Sequence, residues 1–144
     1  MPGAIAVGSD HAGPVLKDEI IFYLSTKGLK TLDCGVPVGT ETCNYPDIAD
    51  KVVRAVLSGE AERGILVCGT GAGMCMAANR HSGIRAANCA NEFTARMARA
   101  HNDLNVLTLG ARVLGRGLAL EIVESFLVTP FEGGRHQVRL DMFN

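Results

Sequence analysis

The sequence predicts an α/β protein built from βα units on a parallel sheet, and three observations carry that expectation. Short apolar runs rich in Val, Ile and Leu alternate with longer stretches of helical period. Most of those runs show no polar alternation, as expected of strands buried on both faces. The chain has 144 residues, 47% of them hydrophobic, enough to fill one core, so residues 1–144 are expected to form a single domain.

In order, the first strand reads as Ile5 to Gly8. Gly13-Pro14 then opens a helix, because proline favours the first helical position; Leu16, Ile20 and Leu24 repeat at helical spacing until Gly28 stops it. Lys30 to Gly35 reads as the second strand. The second helix begins near Pro46 and turns Ala49, Val52, Val53 and Val56 to the sheet. Ile65 to Cys68 is the third strand, and a glycine-rich turn leads from it into the next helix. Ile84 to Cys89 is the fourth strand, Asn91 caps a helix running toward His101, Val106 to Gly110 is the fifth strand, and a last long helix covers about Gly117 to Leu127. From about residue 130 the chain becomes a polar C-terminal extension, with Gly133-Gly134 ahead of Arg135, His136 and Arg139. It reads as too polar for the core and as a hinged tail able to reach another subunit.

Fourteen Lys and Arg against fifteen Asp and Glu leave a net charge of -1, so no whole-molecule field recruits nucleic acid or an acidic membrane surface. Any anion must be held by a local cluster. Five cysteines form no CxxC pair and leave one over, which argues against a disulfide framework and a zinc site and for a reducing, cytoplasmic setting. No basic leader with a cleavage site precedes the first apolar run, and no apolar stretch approaches the ~18 residues of a membrane span.

Ligands of an open parallel sheet bind beyond the carboxyl ends of its strands. The first strand leads there to Ser9-Asp10-His11 and the third to Cys68-Gly69-Thr70-Gly71-Ala72-Gly73, and His101-Asn102-Asp103 is expected at the same edge. Gly69, Gly71 and Gly73 let the backbone present amides at a helix start, which reads either as an anion cradle or as a bare tight turn. Gly71-Ala72-Gly73 continues with Met74, Cys75 and Met76 where a dinucleotide fingerprint wants its third glycine, Met74 stands where a cysteine phosphatase wants its arginine, and no P-loop lysine occurs, so a nucleotide cofactor and phosphoryl transfer lose support. Cys68 then reads as a base stabilised by the helix start, or as a small buried hydrophobe like the other four cysteines. Arg135 and Arg139, four apart, share a face if the tail is helical and could clasp one phosphate; the alternative is a solvated face. His11 and His101 suit phosphate binding or proton transfer. His81 reads as a surface residue, His136 receives no role, and Asp103 reads as a cap.

Together Gly8-Ser9-Asp10-His11-Ala12-Gly13, Asn44-Tyr45-Pro46-Asp47, Cys68-Gly69-Thr70-Gly71-Ala72-Gly73, His101-Asn102-Asp103 and Gly133-Gly134-Arg135-His136-Gln137-Val138-Arg139 resemble the type B ribose-5-phosphate isomerases over nearly the whole chain. Their superfamily also holds galactose-6-phosphate isomerase subunits. The resemblance implies a Rossmann-like, three-layer αβα sandwich with five parallel strands. It implies a homodimer, open to pairing into a tetramer, whose two sites each use both chains. It implies no metal and no cofactor, with a sugar phosphate as the small-molecule partner.

The resemblance also implies roles. His101 would assist opening of the furanose, Cys68 would move the proton between C2 and C1, and Thr70 with the amides of Gly69, Gly71 and Gly73 would stabilise the enediolate. Asp10 and Tyr45 would hold sugar hydroxyls and Asn102 would touch the substrate. His11, Arg112, Arg135 and Arg139 would form the phosphate shell, with His101, Asn102 and the arginines supplied by the partner chain. Some relatives replace the cysteine with a glutamate later in the loop; here Cys68 is present and position 74 is Met74, so the thiol version applies. Two alternatives stand beside this reading: isomerisation of a hexose 6-phosphate of allose or galactose type, and a non-catalytic sugar-phosphate sensor.

Overall fold

The computed structural model describes residues 3–143. Five strands, β1 (Ile5–Ser9), β2 (Thr31–Asp33), β3 (Arg63–Cys68), β4 (Ala86–Asn88) and β5 (Val106–Gly110), form one parallel sheet in the order β2-β1-β3-β5-β4. Between and after them run α1 (Pro14–Thr26), α2 (Tyr45–Leu57), α3 (Ala72–Ala78), α4 (Glu92–Asn102), α5 (Arg116–Val128) and α6 (Arg135–Leu140). Pro14 stands in the first turn of α1, and the Asn91 side chain caps α4 by accepting the Thr94 N–H at 2.8 Å, as the sequence predicts.

The period of two along the strands divides the core into the two sides of a three-layer sandwich. Ile5, Val7, Ile65, Val67, Leu107 and Leu109 pack with Leu16 and Ile20 of α1, Ala95 of α4 and Ile122 and Phe126 of α5. Ala6, Leu66, Cys68 and Val106 pack with Ile48, Val52 and Val53 of α2 and Met74 of α3. Helix α2 comes close because β3 offers Gly64 beneath it: a Cβ there would lie 2.5 Å from Val52 Cγ1.

The edge strands depart from expectation. The predicted strands at 30–35 and 84–89 shorten to three residues each, and both are only partly buried. Strand order puts them at the sheet edges, where one side has no neighbour to extend the ladder. The tail also differs: α6 is helical as the arginine spacing required, yet it buries His136 at 6% exposure, so this segment contributes to packing that its polar composition concealed.

One topological fact governs the site. The strands are parallel, so Ser9, Cys68, Asn88 and Gly110 all end at one edge. Helix α4 ends at Asn102, three residues before β5 begins, and therefore at the opposite, amino edge.

Candidate active site

At the carboxyl edge, β3 delivers Cys68 into a loop whose carbonyl oxygens are all tied back. Cys68 O accepts from Ala111 N (2.8 Å) and Gly69 O from Arg112 N (3.0 Å). Thr70 O accepts from Asn88 Nδ2 (3.2 Å) and Gly71 O from Thr108 Oγ1 (2.9 Å). Withdrawing four acceptors into the protein removes the partial negative charges that would repel an anion at the loop. Gly71 lies at φ 87, and a Cβ on it would fall 2.1 Å from Asn88 Oδ1. Only glycine fits that turn. Asn88 and Thr108, the anchors of the loop, carry no motif in the sequence; they become visible only when β4 and β5 are placed beside β3.

The Cys68 thiol is 6% exposed and its sulfur accepts the Gly71 N–H at 3.2 Å. Three other cysteines are shifted by burial. Burial raises the Cys34 and Cys75 thiols, and pushes Cys89 up to about 11, as expected of structural residues. All five are free.

Around the loop, Thr70 is exposed and its hydroxyl accepts the Ala72 N–H at 3.3 Å. Gly73 lies under the ring of Tyr45, at the start of α2: a Cβ on it would be 2.8 Å from the ring carbons. Asp10, largely buried, accepts the Ala12 N–H at 2.9 Å and so closes the turn after β1. His11 accepts the Cys43 N–H on Nδ1 (3.2 Å), which leaves Nε2 as its donor nitrogen. The Arg112 guanidinium lies against Gly69, whose Cβ would sit 3.4 Å from it. Arg112 thus stands beside the loop of its own chain, apart from the two tail arginines with which the sequence reading grouped it.

His101, Asn102, Arg135 and Arg139 are not part of this cluster. The expectation that His101 shares an edge with His11 fails, because α4 runs back across the sheet and ends at the amino edge. At ~3.3 Å per residue the five residues of β5 alone put about 13 Å between the two edges. There the exposed Arg135 and Arg139 share one face of α6. A cavity of about 800 Å³ also opens at this edge, lined in part by Asn102, Arg80, Arg85 and Gln137. Asp103 is the cap the sequence predicted, at φ 47, with its carboxylate 2.9 Å from Arg99 and 3.3 Å from Arg85. His81, read as a surface residue, is half-buried and faces Asp50 of α2 at 3.0 Å.

The residues thus form two clusters on opposite edges. One holds a thiol under an amide with a donor-rich loop, an imidazole and an arginine; the other holds an imidazole, an amide side chain and two arginines.

Comparison with known proteins gives this arrangement a family. The ribose/galactose isomerase family model matches residues 5–143. Ribose-5-phosphate isomerase B of Escherichia coli K12 is 46% identical over 137 residues, covering 95% of this chain and 91% of that protein. The solved structure of Clostridium thermocellum ribose-5-phosphate isomerase B superposes with a TM-score of 0.94 at 50% identity, covering 96% of this chain and 93% of that one. The Mycoplasma genitalium enzyme, solved with bound ribulose-5-phosphate, superposes with a TM-score of 0.93 at 42% identity, covering 99% and 94%. With the motifs, the sheet order and the loop geometry all in agreement, the chain belongs to the ribose/galactose isomerase family of sugar-phosphate isomerases.

Proposed function

We propose that this isomerase interconverts ribose 5-phosphate and ribulose 5-phosphate, with Cys68 as the base. The observation that carries the reading is the Cys68 sulfur held under the Gly71 amide at 3.2 Å, at the mouth of a loop whose carbonyls are withdrawn. The Cys68 thiolate takes the proton from C2 of the open-chain aldehyde, and the electron pair moves to the C1 oxygen as an enediolate forms. Thr70 and the amides of Gly69, Gly71 and Gly73 donate to the developing charge. A proton passes from O2 to O1 of the enediolate and the Cys68 thiol returns its proton to C1, which leaves the carbonyl at C2, a hydroxyl at C1 and the thiolate restored. Asp10 and Tyr45 hold sugar hydroxyls. His11 and Arg112 meet the phosphate, so binding energy far from the reacting carbons positions them. No cofactor takes part in this scheme.

His101 opens the furanose, Asn102 contacts the sugar, and Arg135 and Arg139 complete the phosphate shell, all from a second copy of the chain. Their place on the far edge supports a homodimer with shared sites, in which residues 1–144 form one domain and the segment from about 130 serves the neighbour. Five free thiols support a reducing compartment, the cytoplasm.

The test is to give the metal-free protein ribose 5-phosphate and follow ketose formation beside allose 6-phosphate, galactose 6-phosphate and a Cys68→Ser control. Pentose turnover that fails in the control is expected. Preference for a hexose phosphate would overturn the substrate, and binding without turnover would leave a sugar-phosphate sensor.

A further inference from the structure

His136 stands outside every role assigned above, yet it is the more buried of the two tail-edge histidines. Its side chain is 7% exposed, its ring stacks on His101 with centroids 4.2 Å apart and planes 12° from parallel, and its Nε2 has no hydrogen-bond partner. Glu132 faces both rings: its Oε1 lies 3.5 Å from His136 Nε2 and 3.9 Å from His101 Nε2. The local chain is built to hold this group. The Glu132 N–H donates to Ala100 O at 3.0 Å, tying the segment to the last turn of α4, and Gly133 and Gly134 at φ 68 and 56 turn the chain so that α6 lays its second residue on His101.

We propose that His136 and Glu132 are positioning residues for His101, the stacked ring setting the plane of the His101 imidazole and the carboxylate holding its Nε2 edge as it reaches into the neighbouring subunit's site. This rests on the reading of His101 as the ring-opening group. His101 is 39% exposed at the last-but-one position of α4, so without the stack its ring would sample several rotamers. Stacking at 4.2 Å with planes 12° from parallel leaves the His101 ring one plane in which to lie. Of the groups facing His136, Arg135 and Arg139 on α6 and His101 on α4 disfavour its protonation and Glu132 in the preceding segment favours it. Burial adds most, and the net direction is down from the usual histidine value. The neutral form of His136 is thereby favoured, which suits a ring that stacks on His101.

The experiment compares His136→Ala, His136→Phe and Glu132→Gln with the wild type on ribose 5-phosphate, each checked for dimer mass and melting temperature. His136→Ala is expected to lower kcat by at least about tenfold with KM within about twofold, because the phosphate arginines are untouched. His136→Phe restores a flat stacking partner and should recover kcat to within about threefold of wild type. A wild-type kcat in the alanine variant, or a phenylalanine variant no better than alanine, would overturn the proposal. If the alanine variant does not fold, Glu132→Gln decides by the same split of kcat from KM. A His101→Ala variant that keeps full turnover would instead sink the ring-opening reading itself, and the two failures are thereby distinct.

Discussion

In the proposed mechanism Cys68 is the residue on which the chemistry turns. Replacing it with serine keeps the size of the side chain and removes the acidity, so Cys68→Ser should lose nearly all turnover, about a hundredfold or more, with KM within about twofold. His101 has a more selective task. Ribose 5-phosphate closes a furanose through its C4 oxygen, whereas erythrose 4-phosphate has that oxygen esterified and stays open, so His101→Ala should cost at least about tenfold more in kcat on the pentose than on the tetrose. Equal losses on both sugars would remove His101 from ring opening. His136 supplies a pH dependence of stability. Its folded-state value lies below that of the unfolded chain, so the unfolded state binds more protons as pH falls from the ordinary histidine range. The contribution of this residue is whole above pH 6.5 and is lost on acidification from there. Urea melts at pH 7.5 and 5.5 should differ less in His136→Phe than in wild type.

At the scale of elements, the shape of the loop after Cys68 is a property of three strands rather than of its own glycines. Gly71 needs its positive φ, and Thr108 on β5 holds Gly71 O from a buried position. Thr108→Val keeps the shape but leaves that carbonyl without its side-chain donor. The expected cost is about 1–3 kcal/mol in urea unfolding, together with a fall in kcat as the amide at the Cys68 sulfur drifts. A variant with unchanged stability and kcat would show that the loop holds itself. The loop was legible in the sequence because glycines at alternate positions after an apolar run announce a strand-to-helix turn. Its anchors were not, because Asn88 and Thr108 are ordinary strand residues until the order β3-β5-β4 sets them against it.

For the whole molecule, the proposal that two separated clusters complete one site across a dimer makes a prediction that a single-chain site does not. Mixing the inactive Cys68→Ser and His101→Ala proteins, with subunit exchange, forms hybrids in which one site joins a native Cys68 to a native His101. Statistical mixing should return about a quarter of wild-type activity, since half the dimers are hybrids with one good site of two. No recovery after verified exchange would place each site within one chain.

Alternating apolar runs and helical periods were enough to determine the five strands and their parallel arrangement, and so to set Cys68 and Asp10 at or just after the ends of two of them, because burial on both faces of a sheet writes itself directly into composition. The motifs were enough to determine the family. What tertiary structure decided was where the pieces meet: the edge strands shortened where no neighbour extends them, His101 went to the far edge because its helix must return before β5 can run parallel, and His136 left the solvent to stack on it. Those outcomes depend on contacts between residues distant in the chain, and local periodicity does not encode them.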